Sequence, residues 1–528
     1  MTNSLAEIEN NDVLFVTGSN TKENHPIVAL RMIKAVRRGA KLIIADPRRV
    51  PLVRFAHLWL RQRPGTDVAL LNGMMHVILA EKLVADEFIE QHTEGFSEEF
   101  RKSLLDFTPE AAEKITGVPK EKIIEAARIY GHGKRAGIYY TMGITQHSHG
   151  TDNVFAIANL ALMTGNLGKE SAGVNPLRGQ NNVQGSTDMG CSPNLYPGYQ
   201  RVTVPAVRER FEELWGVKLS GREGLMANEM LDASLAGTLK ALYVMGENPL
   251  LSDPDTGHTE KALKALDLLI VQDIFLTETA QLAHVVLPGT SFAEKVGTFT
   301  NTERRVQRVR RLVDAPGQAR KDSLIIMELS RRLGYDMSYH HTEEIFQEMG
   351  RAWPAMAGMS YSRLDEEGGL QWPCPTPDHP GTSYLFKGGF PRGKARFTMV
   401  HYRPSIEQPD SEYPFVLTTG RMLFQYHTGS MTRRSRAIEA VAGSPYVEMN
   451  AADASRLKVA DGERVTVRSR RGAITLAVKV SRRTDLGVVF IPFHFREAAA
   501  NVLTSSIALD PICKIPELKV ATVAIERA

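Results

Sequence analysis

The chain has 528 residues, 43% hydrophobic and 23% charged, ordinary globular values that exclude a peptide, a stapled mini-domain and a wholly disordered chain. Lys and Arg number 64 against 60 Asp and Glu, so the net charge of +4 is too small over this length for bulk attraction to nucleic acid or a membrane surface. At roughly 100–200 residues per domain there is room for about three or four domains, and the most apolar runs, such as VVFIPF, are far shorter than a bilayer span.

Cys191, Cys374 and Cys513 lie far apart and form no CxxC. Alone they build neither a disulfide framework nor a thiolate-bound zinc or iron-sulfur centre, and the compartment reads as reducing and cytoplasmic. The opening MTNSLAEIENNDV has no basic stretch followed by a long apolar one, so it does not read as an export signal.

In chain order, VLFVTG predicts a buried parallel strand ending at Gly18, followed by a loop, SNTKENHP. IVALRMIKAVRRG predicts a helix, with Pro26 before its start and Gly39 after its end, and KLIIADPRR a second strand closing on Asp46. Helical patterns fill residues 66–130, and AGIYYTMG adds another strand. The same grammar returns where ALYVMGENPL gives a strand ending at Gly246 and LLIVQD one reaching Asp273. Gly18 to Asp46 spans 28 positions and Gly246 to Asp273 spans 27, and an asparagine, Asn20 or Asn248, stands two residues after each glycine. In dinucleotide folds such a glycine admits a pyrophosphate while the acidic residue at the end of the next strand bonds a ribose or base. Two related α/β halves and two nucleotide-bearing ligands are the expectation.

Between the halves, LMTGNLGKESAGVNPLRGQNNVQGSTDMGCSPNLYPGYQ is rich in Gly and Asn and poor in periodic apolar positions, and reads as ordered loop wrapped on a ligand. After about residue 345 the texture turns Pro- and Gly-rich. From Tyr413 it is all-β, with period-two alternation at Ile474, Leu476, Val478 and Val480 around a turn at Gly472. The expected organisation is a first α/β dinucleotide-binding domain (1–180), a second (181–345), a covering segment or linker (346–410) and a C-terminal β-barrel (411–528). The fold class is α/β, two Rossmann-like parallel-sheet domains followed by a barrel.

Arg178, in VNPLRGQNN, offers a bidentate fork for a small carboxylate or a phosphate; the competing reading is an arginine that staples its own loop. Arg304, Arg305, Arg308, Arg310 and Arg311 form one basic run, and Arg433, Arg434 and Arg436 another. A solvated face is the competing reading for such runs. His147 and His149, one residue apart, would share a side on a strand as metal ligands do, but no third ligand accompanies them. No GxSxG, HExxH, P-loop or paired-Cys motif occurs, so the chemistry must come from a cofactor.

TGSNTKENHPI, ADPRR, LALMTGNLGKESAGVNPLRGQNNVQGSTDMG, VMGENPL, QDIFLTETA and TGRMLFQYHTGSMTRR together closely resemble the molybdopterin oxidoreductases, specifically the catalytic subunit of molybdenum- or tungsten-dependent formate dehydrogenase. The resemblance runs from Met1 to the end, and VNPLRGQNNVQG is its most specific part. It implies a bis-molybdopterin guanine dinucleotide centre with Mo or W, one dinucleotide per α/β half, and a barrel of double-psi type. It implies that Asn20, Glu23, Asp46, Arg48, Gly65 and Asp67 line one dinucleotide, and that Gly246, Glu247, Asn248, Ser252, Gln272 and Asp273 line the other. Arg421, His427, Thr428 and Asn501 would close over the pterins, with Lys519 in a similar position. Arg178 would orient formate by its carboxylate, with Gln180 and Asn181 supporting the cofactor. No residue of the chain is expected to bind the metal directly.

The family also carries four cysteines for an iron-sulfur cluster, a lysine, and a Cys or selenocysteine followed by histidine, none of which stands in these 528 residues. The expectation is that the upstream frame continues through an in-frame TGA codon and that Met1 is internal. The resemblance implies formate and carbon dioxide as substrate and product, and electron-transfer subunits of iron-sulfur, flavin or hydrogenase type as partners. It implies no nucleic acid and no direct membrane span. The alternatives are a nitrate- or polysulfide-reductase-like member of the same superfamily, or a non-catalytic cofactor-binding fragment.

Overall fold

A computed structural model describes all 528 residues, Met1–Ala528. They form two compact units, one of Met1–Leu177, Leu251–Gly257 and Tyr384–Ala528, the other of Arg178–Leu250 and His258–Ser383. The Pro- and Gly-rich stretch is divided between them at Ser383 and Tyr384.

The first unit opens on a sheet of β1 (Val13–Thr17), β2 (Lys41–Ala45), β3 (Leu58–Leu60), β4 (Ala136–Tyr140) and β5 (Gly173–Pro176), in the order β3-β2-β1-β4-β5. All four pairings are parallel. Both faces are covered, so β1 and β4 are buried at every position and read as unbroken apolar runs. Phe15, Ile43 and Ile138 pack with the helices Asp67–Ala80 and Gly150–Met163 on one side, and Leu14, Val16 and Leu42 with the helix Pro26–Arg37 on the other. The chain leaves β1 toward β2 and returns to β1's opposite edge as β4, so the loops after β1 and β4 part at the carboxyl end of the sheet, where open α/β sheets bind ligands.

The second unit repeats the plan on a smaller scale. Its strands β6 (Ala241–Met245), β7 (Leu268–Asp273) and β8 (Val285–Pro288) are parallel in the order β8-β7-β6, over a core of Val244, Leu263, Leu269 and Val271.

The closing part of the first unit is a closed six-stranded barrel. Its strands are β9 (Phe415–Gly420), β10 (Tyr446–Asn450), β11 (Arg464–Arg468), β12 (Ala473–Ser481), β13 (Val488–Pro492) and β14 (Ala521–Arg527). They follow the order β9-β13-β10-β12-β11-β14, with β9·β13 and β10·β12 parallel and the other pairs antiparallel. Ile474, Leu476 and Val478 are buried inside while Val480 is half-buried, and the Ser469 N–H bonds the Gly472 carbonyl at the expected turn. Parallel-sheet α/β domains followed by a β-barrel are the class expected from the sequence.

Two local expectations are corrected. SNTKENHP contains a single helical turn, Thr21–Asn24, started at Asn20. The Gly- and Asn-rich stretch is not continuous loop: it supplies β5, whose edge position tolerates Pro176, and the short helix Val183–Asp188. No helix is long and apolar enough to cross a membrane.

Candidate functional site

In the first unit the site is built where β1, β2 and β4 end. Gly18 turns the chain at φ +57, and a β-carbon there would stand 2.7 Å from the Gly143 carbonyl carbon, so only glycine lets the two loops meet. The Gly18 carbonyl accepts from Thr141 Oγ1 at 2.6 Å and from the Gly143 N–H at 3.2 Å. Asn20 follows, its amide donating to Glu23 Oε2 at 2.6 Å while its buried Oδ1 has no partner. Glu23 in turn pairs with Arg483 at 3.1 Å.

Asp46 closes β2. Its carboxylate accepts the Arg48 N–H at 2.9 Å, yet burial pushes its pKa up to about 6. Arg48 is buried, pairs with Glu448 at 2.5 Å, and its guanidinium lies 3.4 Å from the Phe490 ring centroid. Arg48 Nε is buried without a partner. Gly65 and Asp67 stand after β3. Gly65 turns the chain at φ +79, where a β-carbon would meet the Ser405 hydroxyl, and Asp67, bonded by Gln62 at 3.1 Å, is pushed above the usual carboxylate range by burial. A cavity of ≈ 490 Å³ is lined by Pro47, Gln62, Thr66, Ser405 and Asp485, neighbours of these residues.

Barrel loops add the cations. Burial, with the nearby Arg421 charge, brings the Lys519 ammonium down to about 7, and its Nζ donates to the Thr419 carbonyl at 2.9 Å. The charges of Asp46 and Arg48 act on Lys519 as well. His25 and His427 are each held down to about 4 by burial and then by Arg421, whose own pKa burial lowers. Thr428 is buried, its hydroxyl 3.0 Å from that of Ser430. Asn501 donates to the carbonyls of Leu251 and Ser252, both at 2.9 Å. Ser252 and Asn501 both fall in the first unit.

In the second unit Gly246, φ +66, closes β6. Beyond it Asn248 donates to Glu278 at 2.8 Å and accepts from the Thr279 hydroxyl at 2.7 Å, bracing the turn that carries Glu247. Gln272 is buried, bonded by Tyr243 and donating to Asp322 at 2.6 Å. Asp273 accepts the Ile274 N–H at 2.7 Å. Arg178 is exposed; its N–H donates to Thr302 Oγ1 at 3.0 Å and its Nε to Gln184 Oε1 at 3.2 Å. Gln180 is half-buried and Asn181 exposed beside it.

Several residues have no local signal in the sequence. Glu448, 400 positions from Arg48, is one. His494 is another: Nε2 accepts the Met422 N–H at 3.0 Å and Nδ1–H donates to the His427 carbonyl.

The other constellations take structural places. Arg308 stacks 3.3 Å from the Tyr361 ring centroid and pairs with Asp365, as does Arg310. Arg304 donates to the backbone of Trp372, Thr382 and Ser383. Arg433 bridges Glu439 and Glu497. His147 and His149 lead into a helix, not along a strand, with rings stacked at 5.4 Å, and no group of three His, Cys, Asp or Glu is placed to hold a metal.

Comparison with known proteins agrees with this layout. Residues 1–332 match the model of the molybdopterin oxidoreductase family, and residues 415–522 that of the molybdopterin dinucleotide binding domain. The F420-dependent formate dehydrogenase subunit alpha of Methanocaldococcus jannaschii is 51% identical over 100% of this chain and 78% of its own. Formate dehydrogenase H of Escherichia coli is 43% identical over 100% of this chain and 74% of its own. Acetylene hydratase from Pelobacter acetylenicus shares the fold, with a TM-score of 0.77 at 20% identity, over 99% of this chain and 81% of its own. The chain therefore belongs to the molybdopterin oxidoreductases, among the formate dehydrogenase alpha subunits.

Proposed function

We propose that the chain forms the cofactor cage and substrate arginine of an enzyme that oxidises formate to carbon dioxide, releasing one proton and two electrons, or runs the reverse. The observation that carries the cage is the gathering of Arg48, Arg421 and Lys519 around the ends of β1 and β2. Burial depresses the Lys519 and Arg421 pKa values, and the Arg421 charge lowers Lys519 further, a state that a bound pyrophosphate relieves. Unpartnered Asn20 Oδ1 and Arg48 Nε, both buried, fit a polar ligand, as does the cavity beside Pro47 and Thr66.

In this reading Asn20, Glu23, Asp46, Arg48, Gly65 and Asp67 hold one guanine dinucleotide, the carboxylates accepting from the base or ribose. Gly246, Glu247, Asn248, Ser252, Gln272 and Asp273 hold the other, and Arg421, His427, Thr428, Asn501 and Lys519 contact the pterins. When bound, a bis-molybdopterin guanine dinucleotide centre with Mo or W supplies the two-electron acceptor. Arg178 takes the formate carboxylate in a charge-assisted fork and so fixes the direction of the C–H bond, with Gln180 and Asn181 beside it. No residue of the chain is assigned as metal ligand. Electrons pass to partner subunits of iron-sulfur, flavin or hydrogenase type. Formate-dependent dye reduction by the purified enzyme tests the reading: turnover with formate and loss of it in Arg178→Ala support it, and turnover with nitrate in place of formate would refute it.

A further inference from the structure

The guanidinium of Arg178 is exposed but does not float. Its Nε–H is held by Gln184 Oε1 at 3.2 Å, whereas neither terminal nitrogen meets a protein acceptor. Gln184 is itself buried, and its Nε2 donates to Asp188 Oδ1 at 2.7 Å and to the Tyr199 hydroxyl at 2.9 Å. Asp188, also buried, accepts a further bond from the Tyr199 hydroxyl at 2.6 Å and one from the Trp372 indole N–H at 2.8 Å. Three donors converge on this carboxylate and offset part of the burial that raises its pKa.

The network leaves one orientation to the Gln184 amide. Turned over, it would set its carbonyl against the Asp188 carboxylate and its NH₂ against a guanidinium, two repulsive contacts in place of two bonds. Oε1 must therefore face Arg178. With Nε occupied, the remaining donors form an end-on fork from the two terminal nitrogens, matching the two oxygens of a small carboxylate.

We propose that Gln184 is a positioning residue for the anionic substrate: anchored by Asp188, Tyr199 and Trp372, it fixes Arg178 by Nε so that the terminal nitrogens present a pre-set fork. This rests on Arg178 being the substrate arginine. Nothing in the arrangement selects formate by charge alone; it selects a planar carboxylate approaching end-on, because rotation of the guanidinium about its Nε bond is restrained. An unrestrained arginine would bind the same anion with more orientations open to it, at a loss in both KM and kcat.

The test uses the complete enzyme with its cofactors, comparing wild type, Gln184→Ala, Tyr199→Phe, Arg178→Lys and the Gln184→Ala/Arg178→Lys double variant. Metal and pterin content are measured beside kcat and KM for formate. Gln184→Ala should raise KM about tenfold and lower kcat severalfold at unchanged pterin content, and Tyr199→Phe should raise KM about two- to threefold. The double variant should be little worse than Arg178→Lys, because the glutamine acts through the arginine. A wild-type KM in Gln184→Ala, or penalties that multiply in the double variant, would overturn the proposal. Should Gln184→Ala lose its pterin, the decision passes to Tyr199→Phe, where an unchanged KM overturns it. Wild-type kinetics in Arg178→Lys would sink the substrate-arginine reading itself, a result distinct from an insensitive Gln184.

Discussion

His494 and His427 are joined by a single hydrogen bond, from the His494 Nδ1–H to the His427 carbonyl, which fixes His494 as a neutral ring with its other nitrogen accepting from Met422. His427 itself sits at φ +48, a left-handed backbone unusual for a side chain of its size, so the bond also holds a loop that would otherwise relax.

Acid should undo this loop. Burial holds His494 to about 4, whereas an unfolded histidine takes its proton near 6.5. Between those values the unfolded chain binds a proton that the native chain refuses, so stability is full above about pH 6.5 and falls as pH drops toward 4, by ~3 kcal/mol at most. His494→Asn keeps a donor for the His427 carbonyl and loses the Met422 bond. It should lose about 1 kcal/mol at pH 7 and show a shallower acid decline, checked by denaturant unfolding at pH 7 and 5. Parallel declines in both proteins would contradict this.

Asp46 titrates with the opposite sign. Its native pKa of about 6 lies above the unfolded value near 3.8, so the native chain holds the extra proton and stability falls as pH rises from about 4 to 6. Asp46→Asn should stabilise the cofactor-free chain at pH 7 by ~2–3 kcal/mol and abolish retention of the nucleotide. Unfolding midpoints of the cofactor-free chain and nucleotide released from the purified holoenzyme are the measurements.

The two strand-end glycines should respond differently to alanine. Gly246 has φ +66 with nothing within 4 Å of a new methyl group, so Gly246→Ala carries only the left-handed backbone penalty, about 1–2 kcal/mol. Gly18→Ala adds a collision with the Gly143 backbone and should lose clearly more, together with the bound pterin. Thermal shifts of the two variants, measured side by side, decide it.

Arg48 should not tolerate lysine. The guanidinium both pairs with Glu448 and stacks on Phe490, and an ammonium cannot keep the planar stack. A loss of about 2 kcal/mol is expected in Arg48→Lys, and a larger one, about 3–5 kcal/mol, in Arg48→Met, which leaves the buried Glu448 with only the longer pairing to Arg483 at 4.0 Å. Equal stability of Arg48→Met and wild type would refute a paired role.

The parts of this fold legible in sequence are those written over short range. Gly18 and Asp46, like Gly246 and Asp273, announce themselves because a glycine turn, a crossover helix and an acidic strand end recur at nearly equal spacing, and β1 with β2 and β6 with β7 do pair in parallel. Ile474, Leu476 and Val478 betray their strand through a period of two. β5 was hidden because Gly173, Asn175 and Pro176 look like loop, and only its edge position in a buried sheet makes it a strand. Glu448, His494 and the Gln184–Asp188 anchor were illegible for another reason: the first two meet partners far away in the chain, and nothing near Gln184 in sequence says which face of its short helix turns toward Arg178. The histidine pair would share one side only on a strand, and a helix begins there instead.

Caging of a pterin dinucleotide pair by this chain is tested by acid release of nucleotide from the purified enzyme, set against molybdenum and tungsten measured in the same sample. Guanine nucleotide is expected at about two per metal atom. A metal-bearing protein that releases no guanine nucleotide, or a protein that carries neither, would contradict it.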